Sequence, residues 1–294
     1  MKKHEAVQIS RRQFCGTLAA TSLLPFALHA EEPTPFRLNY LVASSMYGKL
    51  PLADVIAQTP KAGSMSLDIW RAPHADQREQ ATAMGDDAFA ALLKKHGVKL
   101  KATTIWGKPF EDELRFVKKM GGDLLITGFV PKSDAKGFIE KLKPQLALAQ
   151  EMGVTVAIEN HGSDMDAIRQ FADEAKSPQL KIALAPYHLP QDAQALGKLI
   201  EAIGPKIGLF YAWQHGMGAM KKLPKADELK QMPGRGDLDF TPMLAALKKI
   251  KYAGPTEIFM HPVPRGVPIL DTAEMVTAEI NRAAAYLESC LKKV

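Results

Sequence analysis

Five of the eight histidines, His74, His161, His188, His215 and His261, and one carboxylate, Glu159, have the residue types and spacing that could do chemistry. Glu159 stands in "AIENHG" (157–162), at the end of an apolar run and two positions before an imidazole. A carboxylate and imidazoles on neighbouring loops can move protons near neutral pH. They can also hold one divalent metal ion, and the donor types suit Mn, Zn, Fe or Co without choosing among them. The plainer alternatives are a Glu paired with an Arg or Lys, and histidines that only hydrogen-bond within their loops.

These residues are positioned by an alternation of short apolar runs and longer helical patterns. The runs are 37–43, 65–70, 98–105, 123–129, 154–159, 180–185, 207–213 and 256–261. Amphipathic segments separate them, among them "DAFAALLKKHG" and "DMDAIRQFADEA", and several end in Gly as helix C-termini do. Eight β-then-α units over residues 31–294 predict an α/β fold, a single-domain (β/α)8 TIM barrel, with a doubly wound sheet as competitor. Barrel chemistry sits at the C-terminal ends of the strands. His74, His161, His188, His215 and His261 all fall there, whereas His96 falls just before the third run, on the opposite face. Period-two alternation puts Thr155, Ala157 and Glu159 on one face of the fifth strand, which aims Glu159 into the barrel mouth.

Residues 1–30 read as an export signal. Lys2, Lys3, Arg11 and Arg12 precede an apolar stretch ending in Leu28-His29-Ala30, and "SRRQF" fits the twin-arginine pattern. The expected location is periplasmic or extracellular, with no stable membrane anchor after cleavage. Removing that segment takes out four basic residues and one acidic, so the formal charge falls from +6 to +3. That is too little to imply a nucleic-acid partner. Cys290 is the one cysteine left, so no intrachain disulfide is available and stability must come from the core.

Together, the strand order, "AIENHG", "GRGDLDFTPMLAALKKIKYAGP" (234–255) and the twin-arginine leader resemble the sugar phosphate isomerase/epimerase family of xylose-isomerase-like TIM barrels. The resemblance implies a divalent ion held by Glu, Asp, His and Glu from strands five to eight, polarising a hydroxy-carbonyl substrate. Glu159 matches the first ligand. The family's Asp-x-x-His of strand six reads Ala185-Pro186-Tyr187-His188, so the Asp is missing and the His remains. His215 stands near the strand-seven His. Strand eight ends without a Glu, which leaves His261 in that place and Glu257 about two residues deeper. The implied ligand set is therefore Glu159, His188, His215 and His261, with Glu159, His188 and His74 as candidate proton-transfer residues.

Expected substrate contacts are Trp70, Arg71, Trp106, Asn160, His161, Tyr187, Trp213, Arg235, Glu257 and Arg265. The aromatic groups would stack on sugar faces, and Arg235 and Arg265 would grip a phosphate or carboxylate. Asp68 reads as a buried network partner, His74 with Asp76 as a relay or a loop cap, and Asp239 as a helix N-cap. The long stretch from His215 to Asp239 reads as a lid, or as a helical excursion that fixes a homo-oligomer. The leading expectation is an exported, metal-dependent isomerase or epimerase acting on a small carbohydrate next to a carbonyl through an enediolate. A lyase or hydrolase on oxidised glycosides, and a catalytically silent sugar-binding barrel, are the alternatives.

Overall fold

Each apolar run becomes a strand because its β-prone residues can be buried on both faces once helices cover the sheet, which only parallel pairing allows. The structure, a computed structural model, describes residues 35–107, 110–215 and 221–294. The expected signal, 1–30, lies outside the described residues. Eight parallel strands close on themselves in chain order: β1 (Asn39–Ala43), β2 (Ser66–Trp70), β3 (Lys99–Ile105), β4 (Leu124–Phe129), β5 (Thr155–Glu159), β6 (Leu180–Leu184), β7 (Ile207–Ala212) and β8 (Pro255–Ile258). β1 pairs with β8 through Leu41 opposite Glu257, so the sheet has no edge. The TIM barrel stands, and an open doubly wound sheet does not.

The helices between strands are α1 (Leu52–Gln58), α2 (Gln77–Met84), α3 (Asp86–His96), α4 (Phe110–Lys119), α5 (Ala135–Met152), α6 (Met165–Glu174), α7 (Ala193–Ile203), α8 (Lys225–Glu228), α9 (Thr241–Lys249) and α10 (Ala273–Leu291). α6 shows the local logic. Asp164 Oδ1 accepts from the Ala167 N–H at 2.8 Å, satisfying an orphan donor of the first turn, while Ala167, Ile168, Phe171 and Ala172 bury one stripe. One helix has no clear sequence signal: α2 (QREQATAM) buries only Gln77 and Ala81, whereas α8 is a single turn within the long stretch after β7 that reads as a lid or a helical excursion.

Two local features aim side chains at the mouth. The register between β4 and β5 shifts between Thr127 and Phe129, at Gly128, whose φ of 63° favours a residue without Cβ. Phe129 is thereby set opposite Glu159. β8 ends at Ile258, earlier than the run 256–261 predicts, so Phe259, Met260 and His261 lead out of the strand toward the loops. No helix among the described residues is long and apolar enough to cross a membrane.

Candidate active site

Glu159 is the last residue of β5, 3% exposed, and its inward aim is the one the alternation predicts. The chain after β6 tightens into a 3-10 turn, Pro186–His188, which brings His188 to Glu159. His188 Nε2 and Glu159 Oε1 lie 2.9 Å apart, so the carboxylate meets an imidazole rather than an Arg or Lys. His161, exposed on the β5 loop, sets its ring 4.3 Å from His188, tilted by 52°. Burial and then the neighbouring His188 depress its pKa.

Across the mouth, His74 and His261 form a second pair with ring centroids 4.7 Å apart. Burial first, then the charge of Arg265, lowers the His74 pKa to about 4, and burial holds His261 well below the ordinary histidine value. Both imidazoles are therefore neutral at neutral pH. Trp213 separates the two pairs, with its ring 5.2 Å from His188 and 5.2 Å from His261. Tyr187 stacks on Trp213 at 3.8 Å, Trp70 stacks on Phe259 at 5.0 Å, and Trp106 stacks on Phe129 at 5.1 Å. Trp70, Trp213 and Phe259 are almost wholly buried in this layer, and the rings left partly open to a ligand are those of Tyr187, Trp106 and Phe129.

Beneath that layer lie two fully buried carboxyls, Asp68 on β2 and Glu257 on β8. Thr104 Oγ1 donates to Asp68 Oδ2 at 2.5 Å. Burial pushes Asp68 up to about 7, and burial together with the adjacent Asp68 charge pushes Glu257 well above the carboxylate range. Two buried carboxyls this close are not both ionised, and neither Glu257 oxygen has a hydrogen-bond partner.

Several expected site residues have other work. His215 is exposed, with its ring against Tyr187 at 5.1 Å and its backbone N–H donating to Gln191, so it does not join the other histidines. Arg235 is paired with Glu279 of α10 through Nε–Oε1 at 2.7 Å and Nη2–Oε2 at 2.5 Å. Arg71 pairs with buried Glu113 at 2.9 Å, beside Arg78 on the same carboxylate. Asn160 is fully buried and clamps Ala185 by both amide atoms, which ties β5 to the turn after β6. Glu257 is fully buried, below the aromatic layer. Asp76 bonds Gln80 rather than His74, and Asp239 accepts from the Thr241 N–H at the start of α9.

A divalent ion needs three or more donors converging on one point. Among the described residues no group of three or more His, Cys, Asp or Glu does so. The expected set of Glu159, His188, His215 and His261 is divided: Glu159 and His188 bond each other, Trp213 stands between His188 and His261, and His215 points away to Tyr187. These residues do not fit a four-ligand ion as arranged, and the chemistry is assigned to the side chains themselves.

Sequence reasoning missed Gln231. It is 1% exposed; its Oε1 accepts from Trp213 Nε1 at 3.0 Å and the His261 N–H at 3.1 Å, and its Nε2 donates to the His261 carbonyl at 2.9 Å. The described part of the stretch expected to be a lid is therefore a brace that fixes the mouth from strands seven and eight; 216–220 lie outside the described residues. No pattern marks such a Gln in a loop. Phe129, 48% exposed at the end of an apolar run, could have been nominated by position.

The fold and mouth together define a TIM barrel with an acid–base pair and an aromatic cleft at the C-terminal ends of its strands. Residues 56–279 match the model of the xylose isomerase-like TIM barrel family, and the chain belongs to that family. Among solved structures it is similar to a D-psicose 3-epimerase from Clostridium cellulolyticum H10, at 16% identity and a TM-score of 0.64 over 86% of this chain and 99% of that one. A D-allulose 3-epimerase from Methylomonas sp. has 15% identity and a TM-score of 0.65 over 87% and 99%. The IOLI protein, described with a binding zinc atom, has 16% identity and a TM-score of 0.65 over 87% and 99%. At these identities the likeness is one of fold. No curated protein matches the sequence.

Proposed function

We propose that this chain is a carbohydrate isomerase or epimerase that moves a proton on the carbon next to a carbonyl. The observation that carries the reading is the 2.9 Å Glu159–His188 pair at the mouth of an aromatic-lined barrel. Glu159 accepts the proton from the substrate carbon and His188 orients that carboxylate. An enediolate results, whose oxygen needs a hydrogen-bond donor.

The opposite wall supplies that donor. His74 and His261 are held neutral, and a neutral imidazole N–H can polarise a carbonyl without transferring a full proton. The Glu159–His188 pair then returns the proton to the neighbouring carbon for an aldose–ketose isomerisation; for an epimerisation the same carbon must be protonated on its opposite face, which falls to the His74–His261 wall. Tyr187, half-buried on top of Trp213, offers an apolar face to the ring carbons. Sugar epimerases among proteins of this fold support the substrate class. Export by the twin-arginine route belongs to the same proposal, because it would favour free or oxidised sugars over sugar phosphates.

The test is solvent exchange: incubation with a panel of ketohexoses in D2O, read by NMR for deuterium on the carbon beside the carbonyl. Wild type should incorporate label, and Glu159→Gln should lose about 10²- to 10⁴-fold of the rate. No incorporation with any sugar that binds would leave a silent sugar-binding barrel in its place.

A further inference from the structure

Among the described residues, the large apolar side chains left well exposed are three methionines and one aromatic, Phe129, at the end of β4. The position of Phe129 is held from two sides. The register shift at Gly128 turns the strand end, and the next residue, Val130, donates its N–H to the Glu159 carbonyl at 2.7 Å. The Ser163 hydroxyl, from the loop after β5, donates to the Val130 carbonyl. The Phe129 ring stacks on Trp106, 14° from parallel at 5.1 Å, and is still 48% exposed. An aromatic ring kept half in water on a pinned backbone forgoes burial, and irregularities of this kind beside a site re-aim a side chain.

Its place relative to the acid–base pair sets what it can meet. β5, which ends in Glu159, lies between β4 and β6, so Phe129 flanks Glu159 on one side and Tyr187, just after β6, flanks it on the other. His161 and Trp106 border the reacting histidines directly, with ring centroids 4.3 Å from His188 and 6.4 Å from His74. Phe129 stands one step farther out: the rings it meets are those two, His161 at 4.8 Å and Trp106. A monosaccharide with its carbonyl end at Glu159–His188 and its ring carbons on Tyr187 leaves Phe129 bare. A second ring joined to it on the β4 side covers Phe129, and the C–H face of a pyranose suits the negative face of an aromatic ring.

Resting on the carbohydrate reading above, we infer that the substrate is a reducing disaccharide, whose reducing sugar reacts at Glu159–His188 while its second, glycosidically linked ring stacks on Phe129. The Phe129 ring moves no proton. It supplies binding away from the reacting carbon and so sets the preferred length of the substrate.

The test is isothermal titration of the full-length chain with glucose against maltose, cellobiose and lactose, and with fructose against maltulose and lactulose. Each disaccharide is thereby compared with the sugar at its own reducing end. At least one disaccharide should bind about tenfold or more tightly than that monosaccharide. Phe129→Ala should erase the ratio, and Phe129→Tyr, which keeps the aromatic face, should preserve it, with urea midpoints as the check that both variants fold. Equal affinities in both series, or a preference that survives in Phe129→Ala, overturns the inference and leaves the carbohydrate reading standing. A wild-type dimer that Phe129→Ala splits, with the sugar ratio unchanged, makes the ring a subunit contact and overturns the inference as well. Binding of none of the seven sugars removes the carbohydrate reading and this inference together.

Discussion

Glu159 and Glu257 are the same residue type, both aimed at the axis of one barrel and both nearly free of solvent, at 3% and 0% exposure. Glu159 meets an imidazole, and Glu257 meets another carboxyl. The difference is depth. Glu159 ends β5, where loop residues can fold over it, and the 3-10 turn after β6 delivers His188. Glu257 sits one layer lower, opposite Tyr211 and Leu41 on the neighbouring strands, with Phe259 and His261 still to come above it. There only strand side chains are available, and the nearest polar one is Asp68. Depth along the strand, more than residue type, decides whether a barrel carboxyl serves chemistry or packing.

The strongest way to break this comparison is to exchange the readouts. Glu257→Ala should cost about 2–4 kcal/mol of stability in urea unfolding, since it opens a cavity in the fully buried layer beside Asp68. Glu257→Gln keeps volume and a donor and should cost about 1 kcal/mol or less, with deuterium exchange within a few-fold of wild type. Loss of exchange in Glu257→Gln as deep as in Glu159→Gln would put both carboxyls in the reacting layer.

A sharper form uses pH. Asp68 has its folded pKa raised to about 7 from 3.8, so between about pH 4 and 7 the folded chain holds a proton that the unfolded chain has released. That contribution to stability is fully present below about pH 4 and is lost as pH rises through 7. His74, lowered from 6.5 to about 4, works in the opposite sense: its contribution is present above 6.5 and lost as pH falls through 4. The His74 effect cancels when Asp68→Asn is compared with wild type. The wild-type advantage over Asp68→Asn should therefore shrink by about 1–3 kcal/mol from pH 4.5 to 6.5. Parallel curves in urea titrations would show that the buried pair does not hold its proton as described.

The smallest effect belongs to the histidine that the structure removes from the site. His215→Ala should change stability by about 0.5 kcal/mol or less and exchange by about twofold or less, because the ring is exposed and only lies against Tyr187. His188→Ala should lose exchange nearly as far as Glu159→Gln. Equal losses in His215→Ala and His188→Ala would reunite the divided ligand set.

Much of the fold and some of the site were legible beforehand. Eight apolar runs of strand length, each followed by an amphipathic segment, leave few closed solutions, and period-two alternation puts Glu159 inward whatever its neighbours do. The segregation of five histidines to the strand ends follows from chain position alone. α2 was hidden because it buries too little to print an apolar stripe, and the fate of Arg71, Arg235 and Asn160 was hidden because their partners, Glu113, Glu279 and Ala185, lie 25 to 44 positions away in the chain.

Sequence by itself determined the barrel, the face that carries the chemistry and the inward aim of Glu159, since these depend on periodicity and order, which are properties of a linear chain. Tertiary structure alone decided that His188 and not His215 reaches Glu159, that Trp213 separates His188 from His261, that Gln231 braces the mouth, and that Glu257 is buried near Asp68. Those outcomes turn on loop conformation and on contacts between distant strands, where a displacement of a few ångströms makes or breaks a hydrogen bond while leaving every sequence pattern unchanged.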